Sequence, residues 1–190
     1  MLSLSHRSLS SLLLGASVAA SATASGCCYL PSADPAAPAP SLAVAPAVAP
    51  MAAPAAGTQS VTLGAGFLPD PTTVATIAGG SVPASSMATP DVYCAGNIGM
   101  VPNVTLTTTT PIYGLRVLVR STADTTLAVR LADGRVLCND DGGGYPNPAV
   151  EADFPAGVHQ IYVGAFHAGE VPAATVGFTT NPALLNEQLP

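Results

Sequence analysis

Hydrophobic and polar residues alternate along most of the chain after Gly57. They form short runs of Val, Thr, Ile and Leu that Gly, Pro, Asp and Asn interrupt about every eight to twelve residues. In "IYGLRVLVRS" (112–121), every second residue from Leu115 is apolar, and Arg116, Leu118 and Arg120 fall on the opposite side. A period of two is that of a β-strand with one face in a core.

The same alternation predicts further strands, at Val104 and Leu106, 124–131, Val150 to Phe154, Ile161 and Val163, and Ala174 to Phe178. In "ADGR" (132–135), Asp-Gly joins two such runs and predicts a hairpin that pairs 124–131 with 135–138. The pattern predicts about eight strands and no helix. Because parallel pairing needs long connections, we expect an antiparallel β-sandwich or jelly-roll-like domain over 57–190.

The first residues have the pattern of an export signal over 1–26. Arg7 precedes the apolar stretch "LLLGASVAA" (12–20), which is too short to span a bilayer. Two processing alternatives stay open: Ala22-Thr23-Ala24 is a site for ordinary signal peptidase, and "ASGC" (24–27) resembles a bacterial lipobox, which would make Cys27 a lipidated N-terminus. Either alternative predicts an exported protein, extracellular or in the cell envelope.

Residues 27–56 are predicted to be a disordered tether. Between Pro31 and Ala56, 19 of 26 residues are Pro or Ala. Frequent Pro favours extended polyproline II, which reaches roughly 80 Å here at about 3.1 Å per residue. The alternative is a low-complexity segment with no mechanical task.

Charge excludes some partners and chemistries. The chain has 5 Lys+Arg, all of them Arg, against 11 Asp+Glu, for a formal charge of −6. No basic patch can neutralise a nucleic-acid backbone, so we expect no nucleic-acid partner. Without lysine, the chain can form neither a Walker-type phosphate loop nor a Schiff base.

The four cysteines fall into two groups: Cys27 and Cys28 beside the processing site, and Cys94 and Cys138 within the strand domain. In an exported protein, the latter two are expected to form a disulfide. The alternative is a pair of buried free thiols.

The stretch "CNDDGGGYPNP" (138–148) holds the candidate metal ligands. Asn139, Asp140 and Asp141 offer the hard oxygen atoms that calcium prefers, but the stretch lacks the alternating donors and closing glutamate of an EF-hand. The alternative is a turn in which these side chains accept backbone hydrogen bonds and the glycines adopt positive φ. Both interpretations stay open.

Two histidines are the candidate general bases. His159 shares a strand face with Ile161 and Val163, which favours a core side chain over a catalyst, and His167 lies in a predicted loop. The chain has neither a G-x-S-x-G elbow nor an H-E-x-x-H zinc motif. The alternative enzyme is a small secreted hydrolase using His159 or His167 with Asp140 or Asp141.

Several motifs resemble those of bacterial exported pre-peptidase C-terminal (PPC) domains: "GFLPDP" (66–71), "AGGSVPAS" (78–85), Cys94, "DTTLAVRLADGRVLCNDDGGG" (124–144), "NPAV" (147–150) and "AGVHQIYVGAF" (156–166). The resemblance implies a β-sandwich of jelly-roll character that accompanies secreted peptidases or stands on surface proteins and is not itself catalytic. Some relatives bind calcium, and Asn139, Asp140 and Asp141 align with the family's acidic turn.

These observations together predict an exported, non-catalytic surface or accessory binding module. Its partner would be an extracellular protein or polysaccharide. It would bind either no cofactor or calcium, and it would contact a membrane only through an N-terminal lipid on Cys27. The alternatives are a calcium-dependent carbohydrate- or protein-binding domain and the small hydrolase.

Overall fold

A computed structural model describes residues 57–142 and 146–190, and the predictions for the signal segment, Cys27 and the tether lie outside them. The described residues form eleven strands and two short 3₁₀ helices, Ala84–Met87 and Asn186–Gln188. The strands are β1 (Gln59–Leu63), β2 (Thr72–Ile77), β3 (Val82–Pro83), β4 (Asn97–Ile98), β5 (Val104–Thr108), β6 (Ile112–Ser121), β7 (Thr125–Arg130), β8 (Val136–Asn139), β9 (Ala149–Phe154), β10 (Gly157–Ala165) and β11 (Ala173–Thr179).

The strands form two sheets. The first has four antiparallel strands in the order β2-β11-β6-β9. The second has seven: β10 pairs with β5, β7 and β4, β5 with β1, β7 with β8, and β4 with β3. The main core lies between the sheets and includes Leu115, Val129, Ile161, Val176 and Phe178, each 0% exposed. The predicted β-sandwich is confirmed.

The strand pairing includes the predicted hairpin, but at one edge of the seven-stranded sheet it is parallel and not antiparallel as expected. β7 and β8 pair antiparallel across the Asp-Gly turn, with Val129 opposite Leu137. β1, however, pairs parallel with β5. The long connection that parallel pairing needs is present, because the chain passes through β2 in the opposite sheet before it reaches β5.

A second, smaller core covers the outer face of the seven-stranded sheet. Residues 82–98 pack over β7, so that Ala84, Met87, Cys94, Ile98 and Ala128 are buried together. A disulfide joins Cys94 to Cys138 on β8, as predicted. Such bonds form and persist in oxidising compartments, which agrees with the expected export.

The C-terminal residues 180–190 cover the outer face of the four-stranded sheet. Arg116 Nη1 donates to the carbonyl of Leu184 at 2.7 Å, and Arg120 donates to that of Leu189. Leu189 is 1% exposed and lies against Gly177, where a Cβ atom would collide with its side chain. Leu118, which alternation places on the solvent side, is therefore 0% exposed.

A bulge interrupts the edge of the four-stranded sheet. The register between β6 and β9 shifts between Ile112 and Leu115. Gly114 lies in this interval with a φ of 59°, and its N–H donates to Asp153 Oδ1 at 2.9 Å. Glycine adopts this left-handed conformation without steric cost, and the extra residue bends the strand.

In the described parts of the chain, no helix is long and apolar enough to cross a membrane.

Candidate functional site

The two sheets leave one side of the sandwich open, where β8 and β9 run beside each other. Each has one strand partner among the described residues, β7 for β8 and β6 for β9. A cleft of about 380 Å³ lies there. We call it the β8–β9 cleft; its lining residues are Asp91, Val92, Tyr93, Leu137, Cys138, Asn139, Ala149, Val150 and Glu151.

The disulfide fixes one wall of the β8–β9 cleft. Cys94, which is 2% exposed, anchors the segment that carries Asp91 and Tyr93 to β8. Tyr93 is 82% exposed, although burial of an aromatic ring is normally favourable. On the opposite wall, Glu151 Oε2 lies 3.5 Å from Arg116 Nε and keeps most of its surface in solvent. The cleft therefore combines a solvent-exposed aromatic ring with hydrogen-bond acceptors, and the disulfide holds the wall that carries the ring in place.

Asn139 closes the turn between β8 and β9. Its Oδ1 accepts hydrogen bonds from the N–H groups of Gly142 and Ala149, the latter at 3.1 Å. A Cβ atom at position 142 would collide with this oxygen, so the turn requires glycine there. The Asn139 side chain therefore accepts backbone hydrogen bonds within the turn, as the turn interpretation of the stretch 138–148 predicted.

The carboxylates of the two residues after Asn139 do not accept such backbone hydrogen bonds. Asp140 is half-buried and Asp141 exposed, and neither makes a side-chain hydrogen bond within the described residues. Asp124 lies near them, with its Oδ1 buried and without a partner in the same part of the chain. Burial, and then the negative charges of Asp141 and Asp140, raise the pKa of Asp124.

Calcium binding by Asn139, Asp140 and Asp141 stays a prediction. Over residues 57–142 and 146–190, no three His, Cys, Asp or Glu side chains are placed to hold a metal ion. The Asn139 side-chain oxygen already accepts two backbone N–H groups. Calcium takes six to eight oxygen ligands, so binding would require donors in addition to the side chains of Asp140 and Asp141.

His159 is a core side chain, as its position on the strand predicted. It is 0% exposed, and its Nδ1 accepts the N–H of Ala132 at 3.1 Å. Its proton is therefore on Nε2, which lies 3.0 Å from the carbonyl of Pro155 and 2.9 Å from Thr108 Oγ1. Burial lowers the pKa of His159, although the hydrogen bond to Pro155 acts in the opposite direction. A substrate cannot reach this imidazole without opening the sandwich.

His167 is exposed in the loop after β10, where its ring meets that of Phe166 edge-on. Of the two candidate bases in the described chain, only His167 is open to solvent.

Sequence reasoning missed the β8–β9 cleft. Asp91, Tyr93 and Glu151 are scattered in the sequence, and no motif joins them. Cys94 offered the available signal, because a disulfide to Cys138 brings the residues before it onto β8.

A scan of protein-family models finds none that matches this chain. A search of curated proteins also finds no match.

Proposed function

We propose that this chain is an exported, non-catalytic binding module of the PPC type. It binds an extracellular protein or polysaccharide in the β8–β9 cleft, and its N-terminal tether holds it at the cell envelope. The observation that carries the proposal is Tyr93, whose ring is 82% exposed on a wall fixed by the Cys94–Cys138 disulfide.

The cleft suits a ligand with hydroxyl or amide groups. Asp91 and Glu151 line the cleft together with Tyr93 and offer carboxylate acceptors, and an aromatic face packs against the apolar face of a sugar or a side chain. Pockets of about 300–1,000 Å³ accommodate ligands of a few hundred daltons. The cleft, at about 380 Å³, holds one or two sugar rings or a short peptide segment.

The open side also offers backbone groups. β8 and β9 each have a strand on one side only within the described chain. An extended peptide can pair with such an edge while its side chains enter neighbouring pockets. A protein partner would then bind through an exposed strand or terminus, whereas a polysaccharide would depend on Tyr93 and the two carboxylates.

The test compares wild type with Tyr93→Ala on a glycan array and on a library of extended peptides. Tyr113→Ala is the matched control, because Tyr113 is 75% exposed on β6 and does not line the cleft. We expect Tyr93→Ala to remove, and Tyr113→Ala to keep, binding of the ligands that wild type selects. Equal binding by both variants would refute the assignment of the cleft.

Calcium binding is a second candidate, favoured by the unpartnered Oδ1 of Asp124 close to Asp140 and Asp141. A calcium ion would neutralise these like charges and stabilise the folded state by mass action. The ligands would be these three carboxylates, with Asn139 kept as the turn cap. A melting temperature that does not change between calcium and chelator would rule this out.

A further inference from the structure

A second pocket lies at the rim of the smaller core, away from the β8–β9 cleft. It has a volume of about 200 Å³ and lies where residues 82–100 cross β7 and β10. We call it the Arg130 pocket; its lining residues are Val82, Ser86, Met87, Ile98, Gly99, Met100, Arg130 and Tyr162. It shares no lining residue with the cleft.

Arg130 differs from the other arginines of the described chain. Arg116 binds Glu151 and backbone carbonyls, Arg120 binds the carbonyl of Leu189, and Arg135 binds Asp133. Arg130 has no ion pair and no side-chain hydrogen bond within residues 57–142 and 146–190. In a protein of formal charge −6, this guanidinium keeps its full capacity for an anion.

The rest of the Arg130 pocket is apolar, with two hydroxyl groups. Met87 and Ile98 are 7% and 2% exposed and form the inner wall. At the mouth, Met100 is 83% exposed. The hydroxyls belong to Ser86 and to Tyr162, whose Oη donates to Gln160 at 3.3 Å. A ligand that fits would carry one anionic group next to a small apolar group.

We propose that the Arg130 pocket binds the C-terminal carboxylate of a peptide whose last residue is aliphatic. The planar guanidinium matches a carboxylate, with two parallel N–H donors. The last side chain would lie against Met87 and Ile98, under the flexible thioether of Met100. A volume of about 200 Å³ is below the range for drug-sized ligands, so it accommodates one side chain and not a long fatty-acid tail.

The test uses the peptide acetyl-Gly-Gly-Leu as the free acid and as the C-terminal amide. Binding to the full domain is followed by NMR titration of the amide signals of Arg130 and Tyr162. We expect the acid to bind and the amide to bind about tenfold more weakly or not at all, because a charged hydrogen-bonded pair contributes about that much.

Arg130→Gln is the decisive variant, and Arg135→Gln its matched control. Both remove one positive charge, but Arg135 is already paired with Asp133 at 2.7 Å. We expect Arg130→Gln to weaken binding of the acid by about tenfold and Arg135→Gln to leave it unchanged. Circular dichroism verifies that both variants are folded.

Several outcomes would overturn the proposal. Equal binding of acid and amide would show that the carboxylate is not recognised, and unchanged binding by Arg130→Gln would place the site elsewhere. Binding of octanoate but not of the peptide would assign the pocket to free fatty acids. Absence of binding at about 10 mM peptide, where even weak millimolar affinity is visible, would also refute it. None of these outcomes depends on Tyr93, so the function proposed for the cleft stands or fails separately.

Discussion

Removing the Cys94–Cys138 disulfide should destabilise the domain and release one wall of the β8–β9 cleft. The bond closes a loop with a sequence separation of 44 residues. For a loop of this length, the chain-entropy relation gives about 13 cal/mol/K, or about 4 kcal/mol at 25 °C. We therefore expect the double variant Cys94→Ala/Cys138→Ala to lose about that much free energy of unfolding, and its melting temperature to fall by roughly 10–20 °C.

The loss should be concentrated in residues 82–98. Besides the disulfide, the segment has the β3–β4 pairing and the pair Thr89–Val92 within itself, and one strand pair to the rest of the sheet, Asn97 with Ala165. The main core lies on the other face of the sheet and keeps its own contacts. In the variant, Tyr93 should become a fast site for chymotrypsin, because local opening of this segment no longer requires global unfolding.

The measurement is urea unfolding followed by circular dichroism, with limited chymotrypsin digestion on the same samples. Reduced wild-type protein is the matched control, since it lacks the bond but keeps both side chains. It should behave as the double variant does. A loss below about 1 kcal/mol, with Tyr93 still protected, would show that packing of the smaller core holds the segment and that the loop-closure argument is wrong.

His159 has a folded-state pKa below its unfolded value of about 6.5. The neutral imidazole therefore contributes its full share to the free energy of unfolding above that pH, and this share is lost as the pH falls. Urea titrations of wild type and His159→Phe should differ in this pH dependence. Leu189→Ala should cost about 2–5 kcal/mol in urea unfolding, and Leu185→Ala, 52% exposed in the same segment, well under half of that. If calcium binds, millimolar calcium should raise the melting temperature by several degrees in wild type and not in Asp140→Asn/Asp141→Asn, as differential scanning fluorimetry would show.

The alternation of side chains was sufficient to predict most of the main core. The strands that contain Val104, Leu115, Val129, Ile161 and Val176 all lie where the pattern placed them, with these side chains buried. A period of two identifies a strand locally because only one face is dry. The turn at 132–135 was predictable for a similar reason, since Asp-Gly favours the backbone of a two-residue hairpin.

The features beyond the two sheets were not predictable in this way. Leu118 has the pattern of a solvent-facing residue but is buried; its strand partner is Gly177, which lies against Leu189 from the C-terminal segment, far away in sequence. The parallel pairing of β1 with β5 also depends on a long excursion through the opposite sheet. The β8–β9 cleft also joins distant segments, because its lining includes both Tyr93 and Glu151, and the Cys94–Cys138 disulfide ties the segment of Tyr93 to β8. Alternation of side chains indicates which face of a strand is buried. It does not indicate which distant segment covers the other face.

The bulge at Gly114 also bears on whether this domain can pair with a second copy of itself. β9 is an open edge within the described chain, and open edges invite the same strand of a second copy to pair, which begins aggregation. The bulge bends the neighbouring strand, and Asp153, which caps it, adds charge beside Glu151 along the edge. Two identical edges would bring these carboxylates against each other. The bulge and these carboxylates therefore discourage self-association through β9.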